Sequence, residues 1–181
     1  DKVEELLKRL EESTRRILKR VEELLRENER LAREVRKTVE RLLEENRRLI
    51  EEVERRVRRD KKREAIEKLV RDVSRSADES SKRIKKLLDE VEESVRRSSK
   101  EIKRLLDEDR KLVEDVERRI TDEKLRRELR RLLRESEKKI KEMLDRNKEL
   151  LDEIERTIRE LLKRNEDLLR EVRERAKEAD K

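Results

Sequence analysis

Valine stands at Val3, Val21, Val39 and Val57, and leucine keeps the same step of eighteen residues at Leu6, Leu24 and Leu42 and at Leu7, Leu25 and Leu43. Eighteen residues make five turns of an undistorted α-helix at 3.6 residues per turn. An apolar stripe written to that period stays on one face of a straight helix, whereas a strict seven-residue repeat would impose a left-handed supercoil. Stepping by seven from Val3 reaches Leu10, Ile17, Leu24 and Leu31, then fails at Thr38 and Glu45. The step of eighteen returns at Ile66, Ile84, Ile102 and Ile120, and again at Leu125, Met143 and Leu161. The chain therefore reads as three stretches of helix. In the first, the stripe spreads from Leu31 and Leu49 on one edge to Leu18 on the other, an arc of roughly 140°. That is wider than a two-stranded seam and suits a bundle of three or four helices.

A second repeat relates the two ends. A shift of 119 residues carries Leu6 to Leu125, Leu10 to Leu129, Val21 to Ile140, Leu25 to Leu144 and Val35 to Ile154. The polar residues on the stripe follow, Asn28 to Asn147, Thr38 to Thr157 and Asn46 to Asn165. The first and third helices thus share one pattern and are expected to lie parallel, with the second antiparallel between them. Dividing the chain in three puts turns at Asp60-Lys61-Lys62 and Thr121-Asp122, where Asp and Thr are good N-caps and Asp122 and Glu123 suit a first turn. Glycine, the usual residue after a helix C-terminus, is absent. The expected fold is all-α: a long, nearly straight up-down-up three-helix bundle, alone or as three parts of a four-helix assembly. One bundle domain is expected over 1–181, with helices at about 2–59, 62–119 and 122–179. Helices of that length, roughly 87 Å at 1.5 Å per residue, suit a rod-like bundle.

Only twelve residue types occur; Gly, Pro, Cys, His, Gln, Phe, Tyr and Trp are all missing. Charged residues are 60% of the chain and apolar ones 30%, a balance that by itself would permit a disordered polyampholyte. The regular stripe argues against disorder. The net charge of +7 is spread over interspersed signs, which describes a solvated surface and not a phosphate-binding stripe. No apolar run approaches the ~18 residues of a membrane span, and the first ten residues, DKVEELLKRL, do not resemble a signal peptide.

Polar residues interrupt the stripe at matched phases. Asn28 and Asn46 take the phase of Leu10, and Asn147 and Asn165 that of Leu129; Asp109 takes the phase of Val73 and Val91. Ser76 and Ser94 share the phase of Leu112, and Ser80 and Ser98 that of Val116. The serine-rich DVSRSADESSKRI (72–84) fits a capping box at Ser76-Ala77-Asp78-Glu79, yet Val73, Ala77 and Ile84 carry the stripe through it, so it reads as mid-helix. Folding the strip at the two turns sets Asn28 and Asn147 against Ser94, Asn46 and Asn165 against Ser76, and Thr38 and Thr157 against Ser81. A less regular group surrounds Ser13, Thr14 and Asp109. Surface filler, or a hinge at 74–81, would account for isolated serines. The coincidence of phases favours buried hydrogen-bonded layers. A buried amide without partners costs about 1–3 kcal/mol, so such layers are satisfied in one register and penalise others.

Chemistry finds little to stand on. Without Cys or His there is no thiol or imidazole nucleophile or base, no zinc site of the usual kind, and no Glu-x-x-His pair for a di-iron bundle. No glycine-rich phosphate loop exists. Asp109 is the one carboxylate in a central core phase, and a lone acid reads as a structural acceptor. The basic cluster RRVRRDKKR (55–63) fits charge matching at a helix C-terminus. No aromatic is available to stack on bases. The expectation is no enzyme, no cofactor, no metal, no membrane, no specific nucleic acid and no small-molecule substrate. A partner is either not required or is another amphipathic helix or helical-bundle chain.

The reduced alphabet, the step of eighteen, the glycine-free connections and the polar layers together resemble de novo designed helical bundles, in particular parametrically built bundles with buried hydrogen-bond networks. The resemblance covers the whole chain and rests on style, not on a signature motif. It implies high stability and a role as scaffold or assembly component. Two readings follow: a self-contained structural bundle with register set by its polar layers, or a binding component that accepts a fourth, antiparallel helix.

Overall fold

A computed structural model describes residues 2–59 and 63–178. Three α-helices make up these residues: α1 (Lys2–Arg59), α2 (Arg63–Arg119) and α3 (Glu123–Glu178). The expected first turn, Asp60-Lys61-Lys62, lies outside the described residues. The helices form because about two-thirds of the residues are good helix formers (Leu, Glu, Lys, Arg) and none is Gly or Pro. Glu4 and Glu5 in the first turn of α1, and Arg56, Arg58 and Arg59 in its last, match the helix dipole. Ion pairs one turn apart, such as Arg36–Glu40 and Arg47–Glu51, both at 3.2 Å, line the exposed faces. Each such pair stabilises by only a few tenths of a kcal/mol.

The helices contribute to two compact units, residues 1–31 with 92–151 and residues 32–91 with 152–181. In the first unit α2 runs antiparallel to α1: Thr14 meets Asp109, Arg20 meets Glu101 and Asn28 meets Ser94, one number rising as the other falls. It runs antiparallel to α3 by the same test, with Arg110 on Glu137 and Glu117 on Arg130. Its core has two aliphatic clusters. Leu10, Val113, Val116, Ile120 and Leu129 form one, and Ile17, Val21, Leu24, Leu25, Ile102 and Ile140 the other. In the second unit Ile50, Val53, Val73, Ala77, Leu169 and Val172 pack together, and Arg175 of α3 reaches Glu54 of α1 at 3.2 Å. Each fully buried Leu, Ile or Val contributes about 1.5–3 kcal/mol.

The α2–α3 connection is Ile120, Thr121 and Asp122. Asp122 is the N-cap of α3, its carboxylate accepting the Lys124 backbone N–H at 3.0 Å. Arg126 closes the other side, donating from Nε to the Ile120 carbonyl at 2.8 Å. Ile120 is itself buried, at 2% exposure. No described residue takes a positive φ. The turn needs no glycine because a carboxylate and a guanidinium satisfy the free ends that a left-handed residue would otherwise serve.

Candidate functional site

The buried polar residues are Asn28, Asn46, Ser80, Ser98, Asp109, Asn147 and Asn165. In the first unit Asn28, 3% exposed, sits between two serines of α2. Ser94 Oγ donates to Asn28 Oδ1 at 2.8 Å, and Asn28 Nδ2 donates to Ser98 Oγ at 3.0 Å. Ser98 Oγ also lies 2.9 Å from the Ser94 carbonyl one turn back, where its own proton goes. Both halves of the amide are therefore used. Ser98 carries half of this layer, and the four-residue spacing Ser94…Ser98 is the sequence signal for it, because residues one turn apart share a helix face.

In the second unit Asn46, 1% exposed, takes the equivalent place one step of eighteen along α1. Ser76 Oγ donates to its Oδ1 at 3.2 Å. Its Nδ2 is buried with no hydrogen-bond partner. Ser80 corresponds to Ser98 in the repeat and is buried at 9% exposure, but its hydroxyl does not complete the pair. One amide is thus fully satisfied and its repeat-mate half satisfied.

Several expected partnerships do not form. Asn147 and Asn165 are both buried at 6% exposure, yet among the described residues neither bonds to Ser94, to Ser76 or to any other side chain. Each hydroxyl has one proton to donate, and Ser94 and Ser76 donate theirs to Asn28 and Asn46 of α1. Asn165 instead lines a cleft of about 720 Å³ whose walls come only from α1 and α3. The Thr38/Ser81/Thr157 layer also fails to close. Thr38 Oγ1 donates to the Glu34 carbonyl and Thr157 Oγ1 to the Glu153 carbonyl, each at 2.9 Å and within its own helix, and Ser81 joins neither. A threonine hydroxyl reaches the carbonyl one turn back without help from a neighbour, and the local bond wins.

Asp109 accepts a hydrogen bond at Oδ1 from Thr14 Oγ1 at 3.0 Å and is 2% exposed. Burial pushes its pKa up; the Thr14 bond pulls down, and the nearby Glu137 charge pushes up further. It borders a cleft of about 310 Å³ with Leu10, Thr14, Leu18 and the 43%-exposed Leu132. Among the described residues no three carboxylates gather where they could hold a metal ion, and no helix is long and apolar enough to cross a membrane.

Compared with known proteins, the chain shares its fold with a solved structure described as a computationally designed three helix bundle. The two superpose with a TM-score of 0.57 at 19% sequence identity, over 99% of this chain and 89% of that one. No protein-family model matches the chain, and no curated protein is significantly similar to it. An all-helical three-helix bundle with buried polar hydrogen bonds is the class that the fold and its interior define.

Proposed function

We propose that this chain is a designed structural scaffold with no catalytic role, whose buried polar layers fix how its helices pair. The observation that carries this reading is the set of bonds from Asn28 to Ser94 and Ser98 and from Asn46 to Ser76. The aliphatic core is shape-tolerant, and sliding one helix past another by a turn would still bury leucine on valine. The same slide would strand buried amides at about 1–3 kcal/mol each. Specificity of register is therefore what the polar groups supply. The experiment is to replace both amides, Asn28→Leu with Asn46→Leu. Thermal stability is expected to hold or rise, while one set of backbone amide NMR signals becomes several and light scattering shows mixed assemblies. A single sharp set of signals from an unchanged monomer would refute the role in register.

A second reading is supported by the Asn165 cleft: α1 and α3 leave a face on which a fourth antiparallel helix completes the bundle. Size exclusion with light scattering separates the two, since a strict monomer that ignores added amphipathic helices sinks this second reading.

A further inference from the structure

Asp109 is a buried carboxylate where the repeat of α2 places valine: one and two steps of eighteen back stand Val91 and Val73. Thr14, which donates to it at 3.0 Å, likewise stands where the next two steps along α1 hold Ala32 and Ile50. Both polar groups line the cleft of about 310 Å³ in the first unit, to which all three helices contribute. Leu10 and Leu18 of α1, Val113 of α2 and Leu129 and Leu132 of α3 make its surface apolar. Leu132 is 43% exposed and Asp109 only 2%, so the cleft leads from an open leucine inward to a carboxylate.

A carboxylate can accept about four hydrogen bonds, and Thr14 supplies one, to Oδ1, from a neutral hydroxyl. The charge that weighs on Asp109 is that of Glu137, another acid, itself held by Arg110 at 2.6 Å. Glu11 and Arg15 of α1 line the cleft too and bring one charge of each sign. Burial raises the Asp109 pKa, the Thr14 bond lowers it and Glu137 raises it again, so the ionised form is the one short of support. An ammonium group brings three N–H donors and a positive charge, which are what that carboxylate lacks. The volume lies at the low end of small-molecule pockets, roughly 300–1,000 Å³, and suits a single ring on a short arm. We infer that this cleft binds small hydrophobic primary amines as their ammonium ions, with the N–H groups on the Asp109 carboxylate and the hydrocarbon against the leucines. Such binding goes beyond the scaffold role and requires no fourth helix.

The probe is phenethylamine, titrated into the intact chain and followed in ¹⁵N spectra at about pH 7, where an aliphatic amine is protonated. Phenethyl alcohol, of the same shape and uncharged, is the control. The amine is expected to bind about tenfold more tightly than the alcohol, the order that charge-assisted hydrogen bonds contribute. Its shifts should gather at the backbone amides of Asp109, Val113, Leu129 and Leu132, while those of Val73 and Ile50 in the second unit stay. Asp109→Asn keeps the side chain's shape and removes its charge, and should bring amine and alcohol to equal affinity. Equal binding of the two by the parent chain overturns the inference, as does absence of amine binding. A preference for the amine that survives Asp109→Asn means that surface carboxylates hold the cation, which also overturns it.

Discussion

Asn28 and Asn46 are identical by the sequence repeat and unequal in the structure, so the same substitution at each should have different results. Asn28→Leu removes two sound bonds, at 2.8 and 3.0 Å, but leaves Ser98 bonded to the Ser94 carbonyl. Asn46→Leu removes one longer bond, at 3.2 Å, together with an amide nitrogen that has no partner. The leucine that replaces each is equally buried, so the apolar gain cancels in the comparison. A typical internal hydrogen bond has a net value of about 1 kcal/mol, and an orphaned buried donor costs about 1–3 kcal/mol. Asn46→Leu should therefore leave the chain about 2–4 kcal/mol more stable than Asn28→Leu. Guanidinium titrations followed by helical circular dichroism measure this as a difference in midpoint at unchanged slope. With a slope of about 4 kcal/mol per molar, the gap is on the order of half a molar or more. Equal midpoints, or a lower one for Asn46→Leu, would refute the assignment of an unsatisfied amide to the second unit.

Ser98→Ala strands the Asn28 nitrogen and should cost about 1–3 kcal/mol. Thr38→Val with Thr157→Val removes only bonds internal to a helix and should change stability by less than about 1 kcal/mol in the same titration. Asp122→Ala deletes the α3 cap and should cost about 1 kcal/mol, with faster amide exchange confined to the first turn of α3. Burial raises the Asp109 pKa, so its ionisation opposes folding. The parent is at its best below the ordinary carboxylate value near 4 and loses stability as pH climbs through the raised one. Asp109→Asn should thus be more stable than the parent at pH 7, with the gap closing as the solution is acidified to about pH 3. A gap independent of pH would show that Asp109 is not strained by burial.

The all-helical fold and the order of its elements were legible because one stripe, repeated every eighteen residues, admits only helix, and because the repeat between the ends forces the middle helix to run the other way. The phases of Asn28 and Ser94 set them on facing stripes, Asn28 at the phase of Leu10 and Ser94 at that of Leu112. What the phases could not carry was which of two amides each serine would serve. On a flat strip Ser94 faces both Asn28 and Asn147, and Ser76 both Asn46 and Asn165. A hydroxyl has one proton to donate, and both protons go to the α1 amides. Nor could spacing alone reveal that Thr38 and Thr157 would bond backwards along their own helices, because a β-branched hydroxyl chooses between a local carbonyl and a distant partner only once the packing is known. Ser98 was on the right face in sequence. Its part in the Asn28 layer depends on a four-residue serine spacing that a one-to-one pairing of facing residues overlooks.

The serine pairs of α2 recur with the same period as the asparagines of α1, and this has a kinetic consequence. A slip of eighteen residues would lay Asn28 against Ser76 and Ser80 with every contact of that layer intact, so the polar groups alone do not exclude it. Within one chain, residues 60–62 are all that join the two helices, and such a slip would unravel about five turns of α1. Between two chains no tether intervenes. The short connection, and not the hydrogen bonds, therefore guards against this particular misfold. Refolding from denaturant should trap staggered pairs of chains at high protein concentration and give clean folding when dilute.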